Sequence, residues 1–201
     1  MKKIYILLFL ILPVFIYAQD SIQYKRLVSF SPQYLFNYGI RVDFERKISD
    51  NKWLVVAPQI YLAEKKVSYD NDEINYNDFN SVLGGGIALS VKNFVTKGNN
   101  FGAYLGYGVF YNYFYVKYYE EVENDIEEAE ANINKIGFDI ILGYQFTGFD
   151  IATFDIYTGM AVRHSIMDNG DFSDDKFTDY PVGFNFSGNI LLLGVRIGIL
   201  Y

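Results

Sequence analysis

The chain contains no cysteine. That excludes disulfides, thiol catalysis, thiolate metal sites and lipoprotein acylation together. Histidine is almost missing as well, His164 being the only one, and there are one tryptophan (Trp53) and four prolines in 201 residues. Basic residues are outnumbered, 17 against 24 acidic, for a net charge of −7. Nucleic acid calls for a basic footprint, so it is excluded as a partner. Beyond residue 18 no apolar run approaches the roughly 20 residues that a spanning helix needs, so any later membrane crossing must be made by strands.

What the chain has in excess is aromatic: 19 Tyr and 18 Phe. A surplus of rings of this kind favours β structure and interfacial girdles. The first residues read as a secretory signal, with Lys2 and Lys3 before the apolar run Ile4–Tyr17 and a small residue, Ala18, before Gln19. Cleavage is expected after Ala18, giving a signal peptide 1–18 and a short leading segment 19–26. The alternative, an uncleaved anchor, is disfavoured by the length of the run. Loss of Lys2 and Lys3 leaves 15 of the 17 basic residues against 24 acidic, a net −9.

From residue 27 onward eight alternating segments can be marked, at about 27–36, 38–48, 52–66, 80–94, 101–118, 134–147, 152–165 and 185–201. Most meet the roughly 9–11 residues of a tilted membrane strand. Their connections alternate in length. Ser49-Asp50-Asn51, residues 96–100 and Gly148-Phe149-Asp150 are tight turns, whereas 67–79, 119–133 and 166–184 are long. The first link, around Asn37-Tyr38, is short although it belongs to the long-loop end.

The faces sort by chemistry. The last segment shows Leu191, Leu193, Val195, Ile197, Ile199 and Tyr201 on one parity, and glycines with Arg196 on the other. Leu105, Val109, Phe138, Leu142, Ile156 and Met160 share the apolar parity of their own segments. Strand three is ambiguous: both of its parities are apolar, and Pro58 removes a ladder donor. Trp53, near the short-turn end, is expected in an interfacial belt. The opposite parity collects Arg41, Asp43, Glu45, Lys92, Asp139, Asp155, Arg163 and Arg196, four basic and four acidic. A lysine or arginine at a lipid midplane costs about 2–4 kcal/mol, which enforces such sorting. The expected fold is therefore all-β, an eight-stranded antiparallel up-and-down transmembrane barrel. Its lumen, only wide enough for side chains, is expected to be plugged by ion pairs.

At this point the sequence resembles the small outer-membrane β-barrels of the OmpA/OmpX type, over residues 27–201. The opening SFSPQYLFNYGIRVDFER (residues 29–46), the Ala-Gln junction and the Tyr/Phe richness look like barrels of Bacteroidetes-type bacteria. The resemblance implies residence in the bacterial outer membrane among lipid and lipopolysaccharide. It also implies a C-terminal assembly signal (Gly194, Ile197, Ile199 and Tyr201) read by the barrel-assembly machinery.

Other motifs are weaker. Sixteen of the 24 acidic residues fall in the three long loops. They suit divalent cations or a basic partner, and equally a merely solvated surface. The run Asp168–Asp175 lacks the spacing and final Glu of an EF-hand, so no metal site is assigned. Loop 119–133 reads either as a short amphipathic helix (Val122, Ile126, Ala129, Ile133) or as extensions of the flanking strands. Gly84-Gly85-Gly86 is not a phosphate loop, since no Lys-Ser/Thr or helix follows, and no cofactor is expected. His164 and Ser165 are neighbours and would point to opposite faces, which argues against a catalytic dyad. The expected function is a non-enzymatic structural or interaction barrel. The alternatives are an accessory subunit docked on an outer-membrane protein partner, a lipid-modifying barrel enzyme, and a narrow channel.

Overall fold

A strand converts one-for-one alternation of residues into two chemically different faces. The computed structural model describes residues 25–64, 79–95, 101–122, 125–149, 151–168 and 184–201. The expected signal peptide and residues 19–24 lie outside them, as do residues 67–78 and 169–183 of the acidic loops. Eight strands follow one another around the ring: β1 (Arg26–Phe30), β2 (Gly39–Ser49), β3 (Lys52–Glu64), β4 (Phe79–Phe94), β5 (Gly102–Val122), β6 (Asp125–Gly148), β7 (Ala152–Asp168) and β8 (Gly188–Leu200). Every neighbouring pair is antiparallel, and β1 closes the barrel on β8 from Leu27↔Leu200 to Phe30↔Ile197.

The expected faces are realised. Leu105, Val109, Ile140, Leu142, Ile197 and Ile199 are exposed on the outer wall, while Tyr104, Asp155 and Arg196 are buried inside. On β6 the outward residues from Ile136 to Phe146 form an uncharged band. Ten residues at about 3.3 Å each, tilted by about 40°, give a height near 25 Å, the apolar height of outer-membrane barrels. Rings bracket it. At the short-turn end Tyr144, Phe146 and Phe154 adjoin one another. At the far end the Tyr111 and Tyr113 hydroxyls donate to Asn134 (2.6 Å) and Asn132 (2.5 Å). Outward charges among the described residues stand only beyond this band, with Arg26, Arg46 and Lys52 at the short-turn end and Lys117, Glu128 and Glu130 at the other.

Three expectations are corrected. The first segment does not run as a strand to residue 36: β1 stops at Phe30, and Pro32–Asn37 form a 3₁₀ helix. Pro32 has no N–H to give to a ladder, and its fixed φ suits the first helical position. Tyr38, in the left-handed region at φ 57°, ends the helix and returns the chain to β2. Second, of the long connection 119–133, residues 119–122 and 125–133 are strand: the reading as strand extensions holds, and the rim helix does not. β5 continues to Val122 and β6 starts at Asp125, paired from Val122↔Asp125 downward. Ala129, Ala131 and Ile133 are buried at every second position, the strand period rather than the helical one. Third, Trp53 is not in a belt but inside, 1% exposed. Cross-strand partners share a face, and Trp53 pairs with Lys92, an inward residue.

Inward glycines make room for inward rings. A Cβ on Gly143 would lie 2.3 Å from the Tyr104 ring, and one on Gly84 2.6 Å from Phe114. Gly194 is confined by the Tyr157 ring at 2.5 Å and Gln33 Nε2 at 2.7 Å. Gly194→Val is therefore expected to destabilise the barrel by about 1–3 kcal/mol through overpacking, read as a lower urea midpoint in vesicles.

Candidate functional site in the barrel lumen

The short-turn end of the lumen is apolar. Leu27, Trp53, Phe94, Tyr104 and Leu200 are buried there in one cluster, joined by Ile141 and Tyr157 from above. Over this floor lies a layer of charge that register brings together from distant parts of the chain. The Lys92 ammonium donates to Glu45 Oε1 (2.8 Å), Asp155 Oδ2 (2.9 Å) and Gln145 Oε1 (3.2 Å), using all three of its protons. Tyr104 donates its hydroxyl to Asp155 Oδ1 at 2.8 Å, and Arg196 Nη1 reaches Asp155 Oδ2 at 2.9 Å. Arg196 lies over the Tyr157 ring, 4.2 Å from its centroid, and its Nε stands 3.5 Å from Asp43 Oδ2. Asp43 in turn accepts from Arg41 Nε (2.8 Å) and from the Ser31 hydroxyl (2.9 Å). Arg41 Nη1 donates to the Tyr34 hydroxyl at 2.7 Å, tying the 3₁₀ helix to the network.

Six of the eight charges expected inside thus form one chain of ion pairs: Arg41, Asp43, Arg196, Asp155, Lys92 and Glu45. Each is almost fully buried. Asp139 and Arg163 also point inward but stand higher, in the wall of a cavity of about 300 Å³ between the network and the far end. Lys135, 4% exposed, shares that wall. Its parity within the sixth segment marks it as inward, but the expected set does not include it. Lys135 Nζ stands over the Phe114 ring (5.7 Å) and the Arg163 guanidinium over Phe110 (5.9 Å).

The residues of the expected assembly signal divide between the faces. Gly194 packs inside against Tyr157, whereas Ile197, Ile199 and Tyr201 lie on the outer wall. The Tyr201 N–H donates to Arg26 O at 2.9 Å, so the last residue is held at the seam with β1. His164 is exposed on the outer face, and the Ser165 hydroxyl turns away from it to donate to Phe186 O at 3.0 Å. Beyond the apolar band Lys117 pairs with Glu130 at 2.9 Å. Hydrogen bonds from Tyr115 and then Lys117 hold the Glu130 carboxyl below its ordinary range. Among the described residues no group of three or more His, Cys, Asp or Glu side chains could hold a metal.

No family model matches the chain, and no curated protein matches it. Among solved structures it is similar to the crystal structure of Acinetobacter baumannii CarO, at 9% identity over 91% of this chain and 100% of that one, with a TM-score of 0.42. The eight-stranded barrel described above stands on its own strand pairing.

Proposed function

We propose that the chain is an integral outer-membrane β-barrel with a non-enzymatic, structural or interaction role. The observation that carries this is the sorting of charge: among the described residues it lies inside or at the rims and is absent from a ring-bracketed apolar band about 25 Å high. A soluble monomer rarely exposes more than a few hundred Å² of contiguous apolar surface. Exported through the cleaved signal peptide, the barrel stands with both ends of the mature chain and the tight turns in the periplasm and the acidic segments outside. Partners on that outer side are lipopolysaccharide, cations or a basic protein. The C-terminal strand hands the barrel to the assembly machinery. The ion-pair layer and its apolar floor favour a plugged lumen over a channel, and the opposed directions of His164 and Ser165 favour no enzyme.

The test is cellular and biophysical together. The protein is expected in the sarkosyl-insoluble outer-membrane fraction, with a heat-modifiable mobility in SDS. Recovery as a soluble protein without detergent would overturn the reading. In planar bilayers the refolded barrel is expected to give no steady conductance, and regular open-channel steps would replace the plugged reading with a channel.

A further inference from the structure

One rung of the strand ladder leads from the lumen cavity to the outer wall. Asp139 on β6 pairs with Ala161 on β7, and Ala161 pairs with Ile190 on β8. All three line the cavity of about 300 Å³. Paired strands stand about 4.8 Å apart, so Asp139 lies about 10 Å from β8 along the wall, with only an alanine side chain between. Above Phe30↔Ile197 β1 gives way to the 3₁₀ helix, and among the described residues β8 pairs from Gly188 to Val195 only with β7. Gln33 bridges helix and strand there, its Oε1 accepting from the Val195 N–H at 3.4 Å.

The cavity follows this edge to the outside. Its lining includes four consecutive residues of β8, Ile190 to Leu193. A cavity behind a paired strand touches one parity only, so contact with both carries it round the edge of β8. Leu191 and Leu193, each 79% exposed, and Phe36, 84% exposed, form an apolar lip there. Leu191 pairs with Met160 and Met160 with Ile140, which sets the lip within the apolar band. Inside, most of the polar groups are already engaged. Arg41 and Arg196 are neutralised by Asp43 and Asp155, and Lys135 and Arg163 hold interactions of their own. The hydroxyls of Tyr34, Tyr61 and Tyr157 are bonded to Arg41, Gln59 and Gln33. Asp139 is the exception. It is half-buried in the cavity wall, and among the described residues its carboxylate has no hydrogen bond and no ion pair. Arg41, Arg196 and Arg163 act on it only through space.

We infer that the cavity takes an uncharged amphiphile from the bilayer, a hydrocarbon chain ending in a hydroxyl. The hydroxyl donates to Asp139, and the chain runs over Ala161 and out between Phe36 and Leu191. The inference rests on the outer-membrane reading, because only there does the lip face a source of such molecules. A carboxylate without a bonded partner calls for a donor. A cationic head is opposed by the three guanidiniums that act on Asp139, and an anionic head by Asp139 itself, which leaves a neutral donor. The apolar lip selects for hydrocarbon.

The experiment uses the full mature barrel in nanodiscs of zwitterionic lipid, with dodecanol carrying a diazirine on its chain as the probe. Photolabelling is expected to saturate and to map to Phe36 and Leu191–Leu193. Unlabelled dodecanol should suppress it. Laurate and dodecyltrimethylammonium, the same chain with an anionic or a cationic head, should not do so at equal concentration. Asp139→Leu should weaken binding about tenfold, the worth of one hydrogen bond to a charged acceptor, while Asp139→Asn, which keeps an acceptor oxygen, should lose less. Labelling spread evenly over the outer wall, or suppression by either charged amphiphile as strong as by dodecanol, would overturn the inference, and both readouts use the unaltered protein. Undiminished binding by a folded Asp139→Leu variant would overturn it too. Heat-modifiable mobility of the same sample keeps the two readings apart. A heat-modifiable barrel without saturable labelling at the lip sinks the site alone, whereas loss of the mobility shift sinks the barrel reading.

Discussion

Replacing Lys92 with methionine is expected to lower the stability of the folded barrel by about 3–5 kcal/mol, the cost of removing one partner from a buried ion pair. The side chain is 1% exposed and gives its protons to Glu45, Gln145 and Asp155. Asp155 would keep Arg196 and Tyr104. Glu45 would keep the Ser29 hydroxyl, at 3.4 Å on the same Oε1, while its Oε2 already has no hydrogen-bond partner among the described residues. Most of the loss should therefore fall on Glu45. The double variant Lys92→Met/Glu45→Gln, which removes that stranded charge, should recover a measurable part of it. The measurement is urea unfolding in lipid vesicles followed by tryptophan fluorescence. Trp53 is a suitable reporter, being the only tryptophan and the direct cross-strand partner of Lys92 in the lumen floor. An unchanged midpoint in the single variant, or a double variant worse than the single, would show that these charges do not hold the interior together.

The second large effect belongs to the outer wall. Ile140 lies midway along the apolar band of β6, and Asn134 lies at its far edge beside the Tyr111 hydroxyl. Arginine at position 140 is expected to cost about 2–4 kcal/mol in vesicles, and arginine at position 134 no more than about 1 kcal/mol. The contrast is the informative quantity. If water rather than lipid covered this wall, both would be ordinary surface substitutions, within about 0.5 kcal/mol of neutral. Equal small effects at the two sites would thus remove the membrane reading, whatever the barrel's internal packing.

Much of this was legible in the residues because a barrel wall is a periodic object. Where one parity was clearly apolar, as along Phe138–Phe146 or Leu191–Ile199, the assigned face is the one found. Where both parities were apolar, as along β3, composition had nothing to separate, and Trp53 was assigned to the wrong side. Only its pairing with Lys92 settles its direction. The 3₁₀ helix was missed for a related reason. Pro32 was the available signal, but the alternation around it resembles a strand, and the ladder it interrupts belongs to β8, the last strand of the chain. The extended β5–β6 hairpin was legible only as one of two readings, because its acids suit a solvated loop and its apolar residues also fall at helical spacing; with the small buried residues Ala129 and Ala131 facing inward, the strands continue.

By itself the sequence determined the architecture: eight alternating segments, an uncharged outward face, and an inward set that includes Arg41, Asp43, Glu45, Lys92, Asp155 and Arg196. Alternation is a local property, written into each strand whatever lies beside it. Which charges meet, and where β1 gives way to the 3₁₀ helix, only the tertiary structure decided. Lys92 reaches Asp155 across 63 positions of chain and Gln33 reaches Val195 across 162, through the stagger of strands around a closed ring. No local pattern records that stagger. The ion-pair layer and the cavity above it both follow from it.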